Sequence, residues 1–90
     1  MKKDKYIEYY HNGMKWREVT LKDGELDGLF TKWYKSGEKK SEGTFKDGKE
    51  DGLWTKWYYR NGQKEEGTYK DGELVSSKCW DRDGNEKECD

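Results

Sequence analysis

The chain contains very little of the material from which a conventional hydrophobic core is built. Its 90 residues include no Ala, one Ile, two Val and five Leu, and the mean hydropathy is -1.57. An aliphatic core is therefore excluded. The chain does have five Trp, seven Tyr and two Phe, and each aromatic side chain can bury about 150–250 Å². Because these aromatics recur periodically, the sequence predicts a thin aromatic core rather than the disorder that 43% charged residues would otherwise favour.

Residues suited to catalysis or metal binding are also scarce. His11 is the only histidine, and with two cysteines it cannot complete a tetrahedral zinc site unless carboxylates join it. It precedes Asn12-Gly13, so we interpret it as a turn residue. The stretch 81–85 resembles the opening of a calcium loop, but Glu86 stands where that loop needs glycine, and a hairpin turn is expected instead. We therefore expect no catalytic residue, no metal and no cofactor, and we interpret the chain as a non-enzyme.

The sequence has no long stretch of one charge and no long apolar run. Its 19 basic and 20 acidic residues are interspersed, which argues against the one-signed surface that a nucleic acid requires. The same mixture gives no basic patch for anionic lipid. No segment is apolar enough over the length that would cross a membrane.

The chain instead repeats itself every 24 residues. Lys22-Asp23-Gly24 returns as Lys46-Asp47-Gly48 and as Lys70-Asp71-Gly72, and 27–34 returns as 51–58. A period of this length indicates stacked supersecondary units that bury their apolar faces against one another. We predict one domain, 1–90, with repeats near 5–26, 27–50 and 51–74 and a diverged capping hairpin at 75–90.

Two families of glycine turns divide each repeat into strands. Asn12-Gly13, Ser36-Gly37 and Asn61-Gly62 follow aromatic runs, and Asp-Gly pairs lie between them. These are strong hairpin signals. Strands are predicted near 5–10, 15–21, 28–35, 39–46, 52–60, 63–70, 74–81 and 85–89. The fold predicted is all-β: an elongated, twisted antiparallel sheet of tandem hairpins.

One hairpin is longer than its counterpart by one residue. Trp57 to Gly62 spans five positions, where Trp33 to Gly37 spans four, and the register is restored by Gly67. Because the offset is repaired within the hairpin, it predicts a changed turn or a bulge rather than a changed fold.

The spacing of the aromatics leaves two arrangements open. Phe30 and Trp33 are three residues apart, as are their counterparts one repeat later. In a flat strand this spacing places them on opposite faces. Either both faces carry aromatics, or a bulge or strong twist gathers them into one core, and we favour strong twist and coiling.

The two cysteines lie in the last hairpin. Cys79 and Cys89 flank Gly84 symmetrically, five residues on either side. A three-residue loop would place them directly opposite each other, within reach of a disulfide. The sequence does not fix the compartment, but an oxidised pair would favour an extracytoplasmic one.

The repeated unit resembles the MORN repeat, most closely its bacterial variant. The matching residues are Gly52, Trp54, Trp57, Tyr58, Asn61, Gly62, Lys64, Glu66, Gly67, Tyr69 and Gly72, with corresponding residues one repeat earlier. The resemblance covers nearly all of 6–89 and implies a hairpin array that serves protein interaction and dimerisation, with phospholipid contact proposed for some members. The bacterial variant is often labelled a toxin–antitoxin system antitoxin, which would imply a toxin as partner.

A partner surface is expected among the aromatics. Trp33 and Trp57 occupy equivalent positions and are interpreted as core. A single sheet cannot cover both faces, so an exposed binding stripe is also predicted, comprising Tyr9, Tyr34, Trp57, Tyr58 and Tyr59.

These observations favour a protein-interaction module that docks onto or neutralises a partner protein. The resemblance narrows this to an antitoxin or immunity role. The alternative is a membrane-proximal module for phospholipid binding or scaffolding. Nucleic acid is not expected, and homodimerisation through a sheet edge is left open.

Overall fold

The turns and alternating strands build a single antiparallel sheet in the computed structural model, which describes residues 3–58 and 62–89. The strands are β1 Lys3–Tyr9, β2 Lys15–Lys22, β3 Glu25–Leu26, β4 Gly28–Trp33, β5 Lys39–Lys46, β6 Lys49–Trp57, β7 Lys64–Lys70, β8 Glu73–Trp80 and β9 Glu86–Lys87. Their order across the sheet is β1-β2-β4-β5-β6-β7-β8-β9, with β3 paired to β2. The molecule measures 42 × 36 × 15 Å, so it is a slab one sheet thick.

The all-β prediction is confirmed, and each of the eight predicted strands overlaps an observed one. The short strand β3 was not predicted. It is separated from β4 by Asp27, whose amide donates to the carbonyl of Thr20 at 2.9 Å, and Gly28, with a φ of +117°, begins the strand that continues beside β5.

The Asp-Gly turns are the tighter family. Asp23 and Gly24 have φ of 52° and 84°, and the same pair of positive values recurs in both later repeats. Two positive φ in succession define the type I′ turn, whose twist matches that of the strands it joins. The amide of Gly48 also donates to the carbonyl of Leu26 at 2.8 Å, so this turn is bonded to the preceding repeat.

The wider turns are three-residue loops. The carbonyl of Tyr34 accepts from the amide of Gly37 at 2.9 Å, and the amide of Tyr34 donates to Glu38 at 2.8 Å. At Tyr58 the same pair of bonds closes one residue later, on Gly62 and Gln63. The predicted local change is therefore an enlarged turn, and the strands beyond it keep their pairing.

The core is a cluster of aromatic rings on one face of the sheet, which we call the core face. Phe30 lies 5.2 Å from Phe45 and 5.8 Å from Trp54, and Trp54 lies 5.0 Å from Phe45 and 6.4 Å from Tyr69, between ring centroids. Most of these contacts are edge-on, an arrangement that aromatic rings favour. Phe30 and Val19 are buried.

Two glycines make this packing possible. Gly43 and Gly67 lie inside β5 and β7, as the predicted strands 39–46 and 63–70 already placed them. A methyl group built on Gly43 would fall inside the indole of Trp54, and one on Gly67 would approach Leu74 Cδ1 to 2.8 Å. The glycines are required because side chains from neighbouring strands lie on their backbones.

Trp33 and Trp57 do not belong to this cluster, so their assignment to the core is wrong. Both are half-buried, and strand alternation from Phe30 and Trp54 places them on the opposite face. Lysines accompany that row: Lys15 Nζ lies 5.5 Å from the Trp33 ring centroid. Both faces of the sheet therefore carry aromatics. The prediction that strong twist gathers all of them into one core is wrong.

Cys79 and Cys89 form a disulfide with a Cα–Cα distance of 5.3 Å. They are not directly opposite, however, because Cys79 pairs with Lys87. The loop closes between Asp81 and Asn85, so the hairpin is centred one residue before Gly84. The disulfide therefore joins the strands diagonally and holds β9, which has only two ladder pairs, to the end of the sheet.

We predict that this disulfide stabilises the chain by about 2–3 kcal/mol, because it closes a short loop in the unfolded state. Urea unfolding of the oxidised chain and of Cys79→Ser/Cys89→Ser measures the difference. Thiol titration of the unfolded, unreduced protein is the complementary check, and two reactive thiols would contradict the pairing.

Candidate interaction surface

Tyrosine hydroxyls connect successive repeats at the wide-loop end of the sheet. Tyr10 Oη donates to the carbonyl of Trp33 at 2.7 Å, and Tyr34 Oη donates to the carbonyl of Trp57 at 2.6 Å. Tyr10 directly follows β1 and Tyr34 directly follows β4. The last residue of each strand, Tyr9 or Trp33, belongs to the aromatic row on the opposite face. The bonds fix the separation of neighbouring loops and hold the tyrosine rings beside the core face.

These rings form the walls of two adjoining hollows. One, of about 310 Å³, is lined by Tyr10, Trp16, Lys32, Trp33 and Lys40. The next, of about 320 Å³, has the same two lysines and continues to Tyr34, Tyr58 and Lys56. We call the combined hollow the lysine–tyrosine trough and define it by Tyr10, Tyr34, Tyr58, Lys32, Lys40 and Lys56.

The three lysines come from three adjacent strands. Lys32 of β4 and Lys56 of β6 both pair with Ser41 of β5, and Lys40 precedes that serine. Lys32 Nζ lies 5.7 Å from the Phe30 ring centroid, and Lys40 Nζ lies 5.7 Å from that of Tyr34. Within the described residues none of the three lysines forms an ion pair, and no carboxylate lines the two hollows.

The trough ends at a carboxylate. Tyr58 Oη lies 3.4 Å from Glu65 Oε2, in a third hollow of about 290 Å³ that also contains Cys79 and Trp80. Burial raises the pKa of the Tyr58 hydroxyl, and the charge of Glu65 and the hydrogen bond to it raise that pKa further. The neutral phenol is therefore the form that faces this end of the trough.

The predicted binding residues do not form one continuous stripe, because they lie on different faces of the sheet. Tyr34 and Tyr58 line the same hollow, and Tyr34 also connects two repeats. Trp57 borders that hollow as well, although strand alternation assigns its side chain to the row on the opposite face. Tyr9, 56% exposed, belongs to the row on the opposite face with Trp33. Tyr59 lies outside the described residues.

The lysines of the trough were missed because they are far apart in sequence and mixed with acidic residues. The expectation that the chain has no basic patch for anionic lipid stays a prediction, but it did not anticipate this local group of three lysines. A signal was present in the repeat: Lys32 and Lys56 occupy the same position 24 residues apart. Equivalent residues lie two strands apart on one face, so the period could have placed them together.

The two turn interpretations are confirmed. His11 is exposed in the first wide loop, between Tyr10 and Met14, whose backbones are hydrogen-bonded to each other. Asp81 Oδ1 accepts from the amides of Asp83 and Asn85, each at 3.0 Å, so this carboxylate holds the last hairpin turn.

Comparison with known proteins supports the repeat assignment. The family profile described as the MORN repeat variant matches residues 26–47 and 51–71, which are the second and third repeats. No curated protein and no solved structure matches the chain. In the part of the chain that the structure describes, no helix is long and apolar enough to cross a membrane.

Removing the Tyr34 hydroxyl should loosen the contact between repeats. We predict that Tyr34→Phe lowers the free energy of unfolding by about 0.5–1.5 kcal/mol, because one hydrogen bond is lost while the ring remains. Tyr9→Phe is the matched control, since the Tyr9 hydroxyl has no partner among the described residues. Equal effects of the two substitutions in urea unfolding would show that the Tyr34 bond contributes nothing.

Proposed function

We propose that this chain is a protein-interaction module and that its partner docks in the lysine–tyrosine trough. MORN repeats are generally associated with protein- and membrane-binding modules. The observation that carries the proposal is the pair of adjoining aromatic hollows that form the trough, with Tyr58, 41% exposed, lining both the second of them and the third hollow at the end of the trough. Tyrosine and tryptophan are prominent among residues that dominate binding energy at protein interfaces.

Two narrower proposals follow from the resemblance and from the disulfide. An antitoxin or immunity role requires the partner to inhibit growth when it is expressed alone. An extracytoplasmic location fits a disulfide between Cys79 and Cys89, because reducing compartments do not maintain structural disulfides.

The Tyr58 side chain should contribute directly to partner affinity. A partner is first recovered by cross-linking in the native cell and then purified. We predict that Tyr58→Ala weakens its binding by about 1 kcal/mol or more, whereas Tyr34→Ala would also disturb the connection between repeats. Tyr6→Ala is the matched control, because Tyr6 is 51% exposed but lies on β1 outside the trough. Titration calorimetry measures both.

Equal losses in the two variants would exclude the trough as the docking site. Sedimentation with liposomes provides the second comparison. Binding to anionic vesicles in the absence of any protein partner would favour the phospholipid-binding alternative instead.

A further inference from the structure

We infer that the trough accepts an acidic, extended segment of the partner protein, whose carboxylates are bound by Lys32, Lys40 and Lys56. This inference rests on the proposed function and names the chemistry of the partner. It is carried by the charge of the trough, by its dimensions and by the contrast with the opposite face.

The charge of the trough is uncompensated. Lys32 lies between Ser41 on one side and Arg17 on the other, and Arg17 is itself paired with Glu8 at 2.6 Å. Like charges on neighbouring strands are unfavourable, so this arrangement raises the local potential. Glu65 lies opposite Lys56 across the strands, but its carboxylate is within 3.4 Å of Tyr58 Oη and forms no ion pair with Lys56. A carboxylate from outside the chain would relieve this excess.

The equivalent lysines of the opposite face are already neutralised. Lys39 Nζ lies 2.9 Å from Glu42 Oε2, and Lys64 Nζ lies 3.4 Å from Glu66 Oε2. Glu42 and Glu66 lie in a row that crosses that face through Thr55, which pairs with both. Both faces therefore contain lysines, but Lys39 and Lys64 of the opposite face are already paired with carboxylates, whereas the three lysines of the trough are not, among the described residues.

The dimensions of the trough suit a single extended chain. It runs from β2 to β6, three strand intervals, which is about 14 Å at the usual spacing of 4.7–4.9 Å. An extended peptide rises about 3.3 Å per residue, so roughly four residues fill this length. Three free lysines between aromatic walls are few for a membrane surface or a nucleic acid, each of which attracts many clustered cations. The walls include Tyr34 and Tyr58, whose rings offer apolar surface to the aliphatic part of an acidic side chain.

A hexaglutamate peptide tests this inference without knowledge of the partner. Titrated into the isotope-labelled chain, it should shift the amide resonances around Lys32, Ser41 and Lys56, with affinity that falls as salt rises. Hexaglutamine should produce no such shifts. The triple substitution Lys32→Gln/Lys40→Gln/Lys56→Gln should lower hexaglutamate affinity about ten-fold, the sum of three modest exposed ion pairs.

The matched control removes the same charge from the opposite face. Lys5→Gln/Lys15→Gln/Lys39→Gln should change the affinity by less than about two-fold, because these lysines line none of the three hollows. Lys56→Gln alone should already weaken binding, and it removes a side chain that forms no ion pair and no cation–π contact with the residues that the structure describes. If a triple variant fails to fold, the hexaglutamate affinity of Lys56→Gln still tests the inference.

Three results would overturn the inference: no shifts with hexaglutamate, equal losses in the two triple variants, or stronger binding to vesicles containing phosphatidylserine than to the peptide. A partner whose affinity depends on Tyr58 but not on the three lysines would overturn the inference while supporting the proposed function. A partner that depends on neither would remove both.

Discussion

The indole of Trp54 lying on Gly43 is the contact on which the remainder of the structure depends. A sheet one layer thick has no second layer to cover its apolar face, so its aromatics must cover one another and the backbone of the neighbouring strand. Gly43 provides the flat surface for this, and the indole Nε1 also donates to the carbonyl of Thr44 at 3.1 Å. One repeat here supplies the aromatic and its neighbour supplies the glycine that receives it, and at Gly67 the side chain of Leu74 takes the corresponding place.

The two faces of the sheet serve different purposes because only one contains this cluster. On the opposite face aromatics and lysines alternate across the strands, as Lys64 and Trp80 do at 4.8 Å, and such exposed cation–π contacts contribute about 0.5–1 kcal/mol. On the core face the cluster ends where Tyr34 turns from its strand to bind the carbonyl of Trp57. The rings beyond that point are held in place but not covered. The surface proposed for a partner is therefore a direct extension of the packing that stabilises the fold.

The strands and turns could be predicted from sequence because their causes are local. Asp-Gly pairs specify two positive φ in succession, and alternating segments between them specify strands. Which face held the core could not be predicted, because Trp54 and Trp57 are chemically alike and only the glycine beneath Trp54 distinguishes them. The partner of Cys79 was predicted, but its register was not, since a shift of one residue in the last loop changed the opposing residue to Lys87. The lysine cluster was not predicted, because its members come from three strands that only the folded sheet brings together, and acidic residues separate them in the sequence.

Replacement of Gly43 by alanine tests the central contact most directly, because the contact determines whether the free energy of unfolding falls or rises. In an ordinary strand, glycine is about 0.5–1 kcal/mol less favourable than alanine, so Gly43→Ala would stabilise the chain if nothing lay on the backbone there. The packing of Trp54 predicts the opposite: a loss of about 1–3 kcal/mol in the free energy of unfolding measured with urea. The loss should exceed that of Gly67→Ala, where the end of the Leu74 side chain can rotate away. An unchanged or increased stability of Gly43→Ala would contradict the account.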